Sequence, residues 1–216
     1  LQPLQSRYAM LKPESIRYGA ADGSLLESSA AFCSGDWRDS RLFVQYPNGL
    51  RVWVNGNPSQ PWNVQDDGTT YELPPFGWLA LGADGFYESS ANMDGNRVDR
   101  VSAPEMVFLD GRGHWSSLDG IATAGSVAAR KNRDGNGLKV ATVDDVDRLT
   151  ITAVDQEFDA MSIQAAIRDV AQAPVISVQA FDEQGQDLGP VITQRSDRGW
   201  ELEPPPTAVR LEIVAQ

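Results

Sequence analysis

The sequence predicts an all-β protein made of two consecutive antiparallel β-sandwich domains. Three observations carry that expectation. Short runs rich in β-branched and aromatic residues recur along the chain, broken by clusters of Gly, Pro, Asn and Asp. Segments with the apolar spacing of an amphipathic helix are nearly absent. The length, 216 residues, suits two sandwiches of roughly 100 residues each.

Taken in order, Leu1 to Met10 do not alternate and fit either a short helix or an extended tail. Strands are then expected at Ser15 to Tyr18, Arg41 to Tyr46, Leu50 to Asn55, Thr69 to Leu73, Gly77 to Leu81, Arg97 to Val101 and Met106 to Leu109. These make a first domain over residues 1–107. A second series runs Val127 to Arg130, Leu138 to Val143, Leu149 to Val154, Met161 to Arg168, Val175 to Phe181, Val191 to Arg195, Trp200 to Leu202 and Val209 to Val214. It fills residues 108–216, and seven or eight strands suit an immunoglobulin-like sandwich. The stretch Asp110 to Gly120 is loop-like, which puts the boundary between Val101 and Asp110. Ala165 to Ala171 has some helical propensity, but Pro174 and the preceding alternation favour a strand running into a loop.

One hairpin can be read to its register. Pro47-Asn48-Gly49 fits a three-residue loop, a type I turn followed by a left-handed glycine. That loop sets Tyr46 opposite Leu50, Val44 opposite Val52 and Leu42 opposite Val54 on one face. Gln45 then meets Arg51, Phe43 meets Trp53 and Arg41 meets Asn55 on the other. The first face is the expected aliphatic core and the second a polar face with one aromatic pair at its centre. The pair packs under a loop or a neighbouring domain, or it forms a platform for the flat face of a sugar ring.

Composition narrows the partners. With 30 acidic and 18 basic side chains the net charge is −12, which repels phosphate backbones and excludes nucleic acid as a partner of choice. No stretch approaches the roughly 20 apolar residues of a membrane span. The first residue is Leu1, as expected of an excised segment. Cys33 is the single cysteine and reads as a buried packing residue.

Catalytic constellations are weak. Acidic pairs such as Asp66-Asp67 and Asp144-Asp145 sit in turns, where Asp is structurally favoured. His114, the single histidine, has no nucleophile elbow near it. No cofactor is expected, and one His with one Cys cannot supply a zinc shell. Calcium is the one ion the pattern admits: Asn132, Asp134 and Asn136 alternate oxygen-bearing side chains, although a plain turn explains them equally well. Asp144, Asp145 and Asp147 are a second place for it. Six tryptophans raise the question of carbohydrate, since indole faces stack on pyranose C–H surfaces. The candidate contact residues are Phe43, Trp53, Arg51, Asn55, Trp37 and Trp62, whereas Trp78 and Trp200 read as core.

The segment Tyr46-Pro-Asn-Gly-Leu-Arg-Val-Trp-Val-Asn55, followed by Trp62-Asn-Val64 and Tyr71-Glu-Leu-Pro-Pro-Phe-Gly-Trp-Leu-Ala80, resembles the C-terminal β-sandwich modules that follow the catalytic barrel of multi-domain glycoside hydrolases. The likeness covers about residues 1–110. It implies a non-catalytic accessory region that buttresses an upstream catalytic domain of the same polypeptide, with polysaccharide as a second partner and a secreted, periplasmic or cell-surface location. It transfers no catalytic residue to this chain. Two other readings stand beside it: a dedicated pair of carbohydrate-binding modules, and a structural spacer or adhesion-type domain pair in which protein buries Trp53.

Overall fold

A computed structural model describes residues 2–132, 137–144, 146–154 and 159–216. The protein is nearly all β, every pairing is antiparallel, and the chain divides into two compact units, Leu1–Val98 and Asp99–Gln216. That division lies inside a strand, ahead of the loop expected at Asp110 to Gly120.

In the first unit, α1 (Gln2–Tyr8) precedes β1 (Ser15–Gly19) and β2 (Leu25–Leu26). A short helix, α2 (Ser28–Ser34), is stopped by left-handed Gly35 and followed by a 3-10 turn at Asp36–Asp39. Then come β3 (Arg41–Gln45), β4 (Arg51–Asn55), β5 (Trp62–Asp66), β6 (Thr69–Leu73), β7 (Trp78–Leu81) and β8 (Tyr87–Met93). The sheet runs β2-β1-β3-β4-β7-β8, and the β5–β6 hairpin joins it through Glu72 opposite Asn92.

The β3–β4 register agrees with the expectation from Pro47-Asn48-Gly49: Phe43 faces Trp53, Arg41 faces Asn55 and Gln45 faces Arg51. Gly49 takes φ 79°. The face expected to be polar is buried, however. The β5–β6 hairpin folds over the Phe43–Trp53 face, and Trp62, Val64 and Leu73 close a core with Phe43, Trp53, Leu79 and Ala91. The opposite face buries Leu50 and Val52 and keeps Leu42, Val44 and Val54 partly in water. Alternation tells which residues share a face; a covering hairpin decides which face is the core.

The second unit begins in β9 (Asn96–Ala103) and continues with β10 (Met106–Asp110), β11 (Ser116–Leu118), β12 (Ile121–Thr123), β13 (Ser126–Lys131), β14 (Leu138–Asp144) and β15 (Leu149–Thr152). After α3 (Ile163–Gln172) come β16 (Ile176–Phe181), β17 (Asp187–Pro190), β18 (Ile192–Ser196), β19 (Gly199–Glu203) and β20 (Arg210–Ala215). One sheet is ordered β17-β16-β20-β14-β13-β10-β9 and the other β11-β12-β15-β19-β18.

The strand expected at Met161 to Arg168 is a helix. Ser162 caps α3, its Oγ accepting the Ala165 N–H at 3.2 Å. Ile163, Ala166, Ile167 and Val170 follow at helical spacing and are all buried. The helix touches β15 and β19 of one sheet and β10, β13, β14 and β20 of the other. Gln164 is buried at its start and donates to Asp119 Oδ2 at 3.0 Å and Ser102 Oγ at 3.1 Å, tying the helix to the β11–β12 turn and to β9. Pro174, which argued for a strand, lies just past the helix end, where proline commonly stops helices.

Candidate functional site

The expected contact residues separate sharply by burial. Phe43 and Trp53 do form an aromatic pair, with ring centroids 4.9 Å apart at 49°, but Trp53 is only 4% exposed and Phe43 5%. An exposed sugar platform at these two positions is therefore corrected: they are core. Trp62 is buried with them, its indole filling the space beside Gly19. Arg51 donates to Asp66 Oδ1 at 2.5 Å, fixing β4 to the end of β5. Burial pushes the Asp66 carboxyl above its ordinary range, against the opposing pull of Arg51.

Asn55 is fully buried, so it cannot touch a ligand; it organises the loops instead. Its Nδ2 lies 2.9 Å from Gln60 O, 3.0 Å from Leu73 O and 3.0 Å from Pro74 O, three acceptors sharing two protons. Its Oδ1 accepts from Asn57 N at 3.2 Å, and Asn57 Oδ1 in turn accepts from Ser59 N and Gln60 N. The backbone continues the lacing: Asn55 N donates to Gly77 O, and Gly56 N donates to Ser40 O, each at 2.9 Å. A β-carbon on Gly56 would stand 2.8 Å from Ser40 O, so only glycine lets those two loops meet. Three loops at one end of the first sheet are thus fastened to one Asn-Gly pair.

That end displays aromatics in water. Trp37 is 42% exposed and Phe32 71% exposed, and their rings lie near-parallel, 18° apart with centroids at 6.3 Å. The Arg38 guanidinium sits 5.4 Å from the Trp37 ring, and Asp36 accepts a hydrogen bond from Ser34 Oγ beside it. The α2–Gly35–3-10 path places the two rings: the left-handed glycine turns the chain back so that residues five apart in sequence stack. On the neighbouring loop Phe76 is 61% exposed in a left-handed conformation, φ 59°, which costs a non-glycine residue roughly 1–2 kcal/mol. Of the expected contact residues, the structure leaves Trp37 in the open and brings Phe32 to it, a residue whose Ala-Ala-Phe-Cys context reads as packing. Cys33, expected in the core, is exposed in this helix.

No family model, curated protein or solved structure matches this chain.

Arginines lie against aromatic rings at several other places, and burial separates their roles. Arg7 over Phe86 at 3.9 Å and Arg195 over Trp200 at 5.0 Å complete the cover of buried rings. In the second unit Trp115 is 47% exposed with Arg148 at 4.4 Å, a lone ring with a guanidinium over it. The Phe32–Trp37 pair offers a broader flat surface. The calcium candidates Asp134 and Asn136, with Asp145, lie outside the described residues, and Asn132 donates its backbone N–H to Gly137 O at 3.0 Å. Among the described residues there is no group of three or more His, Cys, Asp or Glu placed to hold a metal ion. No described helix is long and apolar enough to cross a membrane.

Proposed function

We propose that the chain is a non-catalytic accessory region of a glycoside hydrolase and that it contacts polysaccharide through Phe32 and Trp37. The observation that carries the carbohydrate contact is this pair: two exposed, near-parallel rings on one side of a rigidly laced loop end. Flat rings match the C–H faces of pyranoses, and Arg38 and Asp36 beside them offer a donor and an acceptor to hydroxyl groups. The hydrolase parentage, the buttressing of an upstream catalytic domain and the secreted, periplasmic or cell-surface location follow from the likeness over Tyr46 to Ala80.

The test is retention of the purified chain on immobilised polysaccharides, followed by titration with soluble glycans. Wild type binds at least one, and Trp37→Ala weakens that binding about tenfold, the order expected from losing one ring's burial. Hydrolysis of any glycan by the isolated chain overturns the non-catalytic assignment. A second reading, a structural spacer, is favoured by the burial of Trp53. It stands if the wild-type chain binds no glycan.

A further inference from the structure

Phe76 sits where phenylalanine is disfavoured, and its ring contributes little to the core. The turn Pro74-Pro75-Phe76-Gly77 is closed by Gly77 N donating to Pro74 O at 2.8 Å, with Phe76 at its third position in the left-handed region. That position normally goes to glycine or asparagine. A glycine is present one residue later, where a β-carbon would stand 2.7 Å from both Pro74 Cδ and Ser90 O. The turn thus needs its glycine at 77 for close packing and still carries phenylalanine at 76.

Arg97 holds the strained segment in place. Its Nη1 donates to Pro75 O and its Nη2 to Phe76 O, each at 3.2 Å, while Nε donates to Ser90 Oγ at 2.7 Å. A backbone fixed in an unfavourable state, presenting an aromatic ring to solvent, is the arrangement of a contact residue. Its position agrees. Gly77 and Ser40 are both bonded to the Asn55-Gly56 pair, so the Phe76 turn and the segment that leads from Trp37 into β3 lie at the same end of the sheet, where β3 and β7 are two strand spacings, roughly 10 Å, apart with β4 between them.

We infer that Phe76 is a second stacking subsite at the same end of the sheet as the Phe32–Trp37 pair, and that the ligand is an oligosaccharide segment of more than one ring in place of a single terminal sugar. This inference rests on the carbohydrate reading proposed above. Arg97 acts as a positioning residue for it.

The experiment titrates wild type, Trp37→Ala and Phe76→Asn with glucose, xylose and mannose oligomer ladders, from monosaccharide to hexasaccharide, and melts each protein. Wild-type affinity rises with oligomer length. Phe76→Asn loses about tenfold for the longer members, flattens the length dependence, and keeps the affinity for the shortest ligand that wild type binds. Its melting temperature stays level or rises, because asparagine accepts a positive φ. If Trp37→Ala loses binding while Phe76→Asn binds every length as wild type does, the subsite falls and the carbohydrate reading stands. If wild type binds no ladder, that reading falls and the subsite with it. A lower melting temperature for Phe76→Asn also overturns the inference, because the ring would then be a packing element.

Discussion

A β-carbon added to Gly19 would stand 2.3 Å from Cζ2 and 2.6 Å from Cε2 of Trp62. The last residue of β1 is glycine because an indole from the covering hairpin occupies the place of its side chain. Gly19→Ala should destabilise the first unit by about 1–3 kcal/mol through overpacking. Urea unfolding of the single variants and of Gly19→Ala/Trp62→Phe measures the coupling, and the double variant recovers part of the loss.

Two tryptophans in the same unit should respond in opposite ways. Trp53→Ala empties part of the core and costs about 3–5 kcal/mol. Trp37→Ala removes a ring already largely in water and changes stability by about 0.5 kcal/mol or less. Denaturant midpoints for the two proteins give the comparison; equal losses would mean that Trp37 is a packing residue.

Asn55 predicts a distinction between two small changes. Asn55→Ala leaves the carbonyls of Gln60, Leu73 and Pro74 without their donor and costs about 1–3 kcal/mol. Asn55→Asp has the same shape and still accepts from Asn57 N, yet its carboxylate cannot donate to three carbonyls. Both variants unfold at lower denaturant. Amide exchange at Asn57 is accelerated more by alanine than by aspartate.

The pH dependence follows from Asp66. Burial raises its carboxyl above the ordinary value, so the native state binds this proton more tightly than the unfolded chain. Its contribution to stability is fully present below the unfolded value and is lost as pH rises through the native one. Carbon-detected NMR titration of the Asp66 carboxyl should show the upward displacement. Asp66→Asn should flatten the stability profile across that acidic window.

Local chemistry was legible in the sequence, and long-range covering was not. The turn residues Pro47-Asn48-Gly49 determine the β3–β4 register because a hairpin loop is a local object. Which face of β4 is buried depends on β5, and Trp62-Asn63-Val64-Gln65-Asp66 does alternate as a half-buried strand should. β8 is faint in the sequence, since Glu-Ser-Ser-Ala-Asn carries little β propensity and is strand through its neighbours. For α3 the signals were present in Ser162 and the spacing of Ile163, Ala166, Ile167 and Val170; an alternating reading of the same apolar residues hid them. The candidate site was half visible. Trp37 could be named from its turn-rich context, but stacking with Phe32 depends on the reversal at Gly35, and the Phe76 turn is held by Arg97, 21 residues further along the chain.

The Pro74–Gly77 turn also bears on how the protein would change in the laboratory. A library selected for survival of heating alone should drift toward glycine or asparagine at position 76, since both relax the backbone there. A library recovered on glycan-coated beads should keep an aromatic at that position. The two selections pull one codon in opposite directions, and the residue each enriches reports whether Phe76 serves the fold or its ligand.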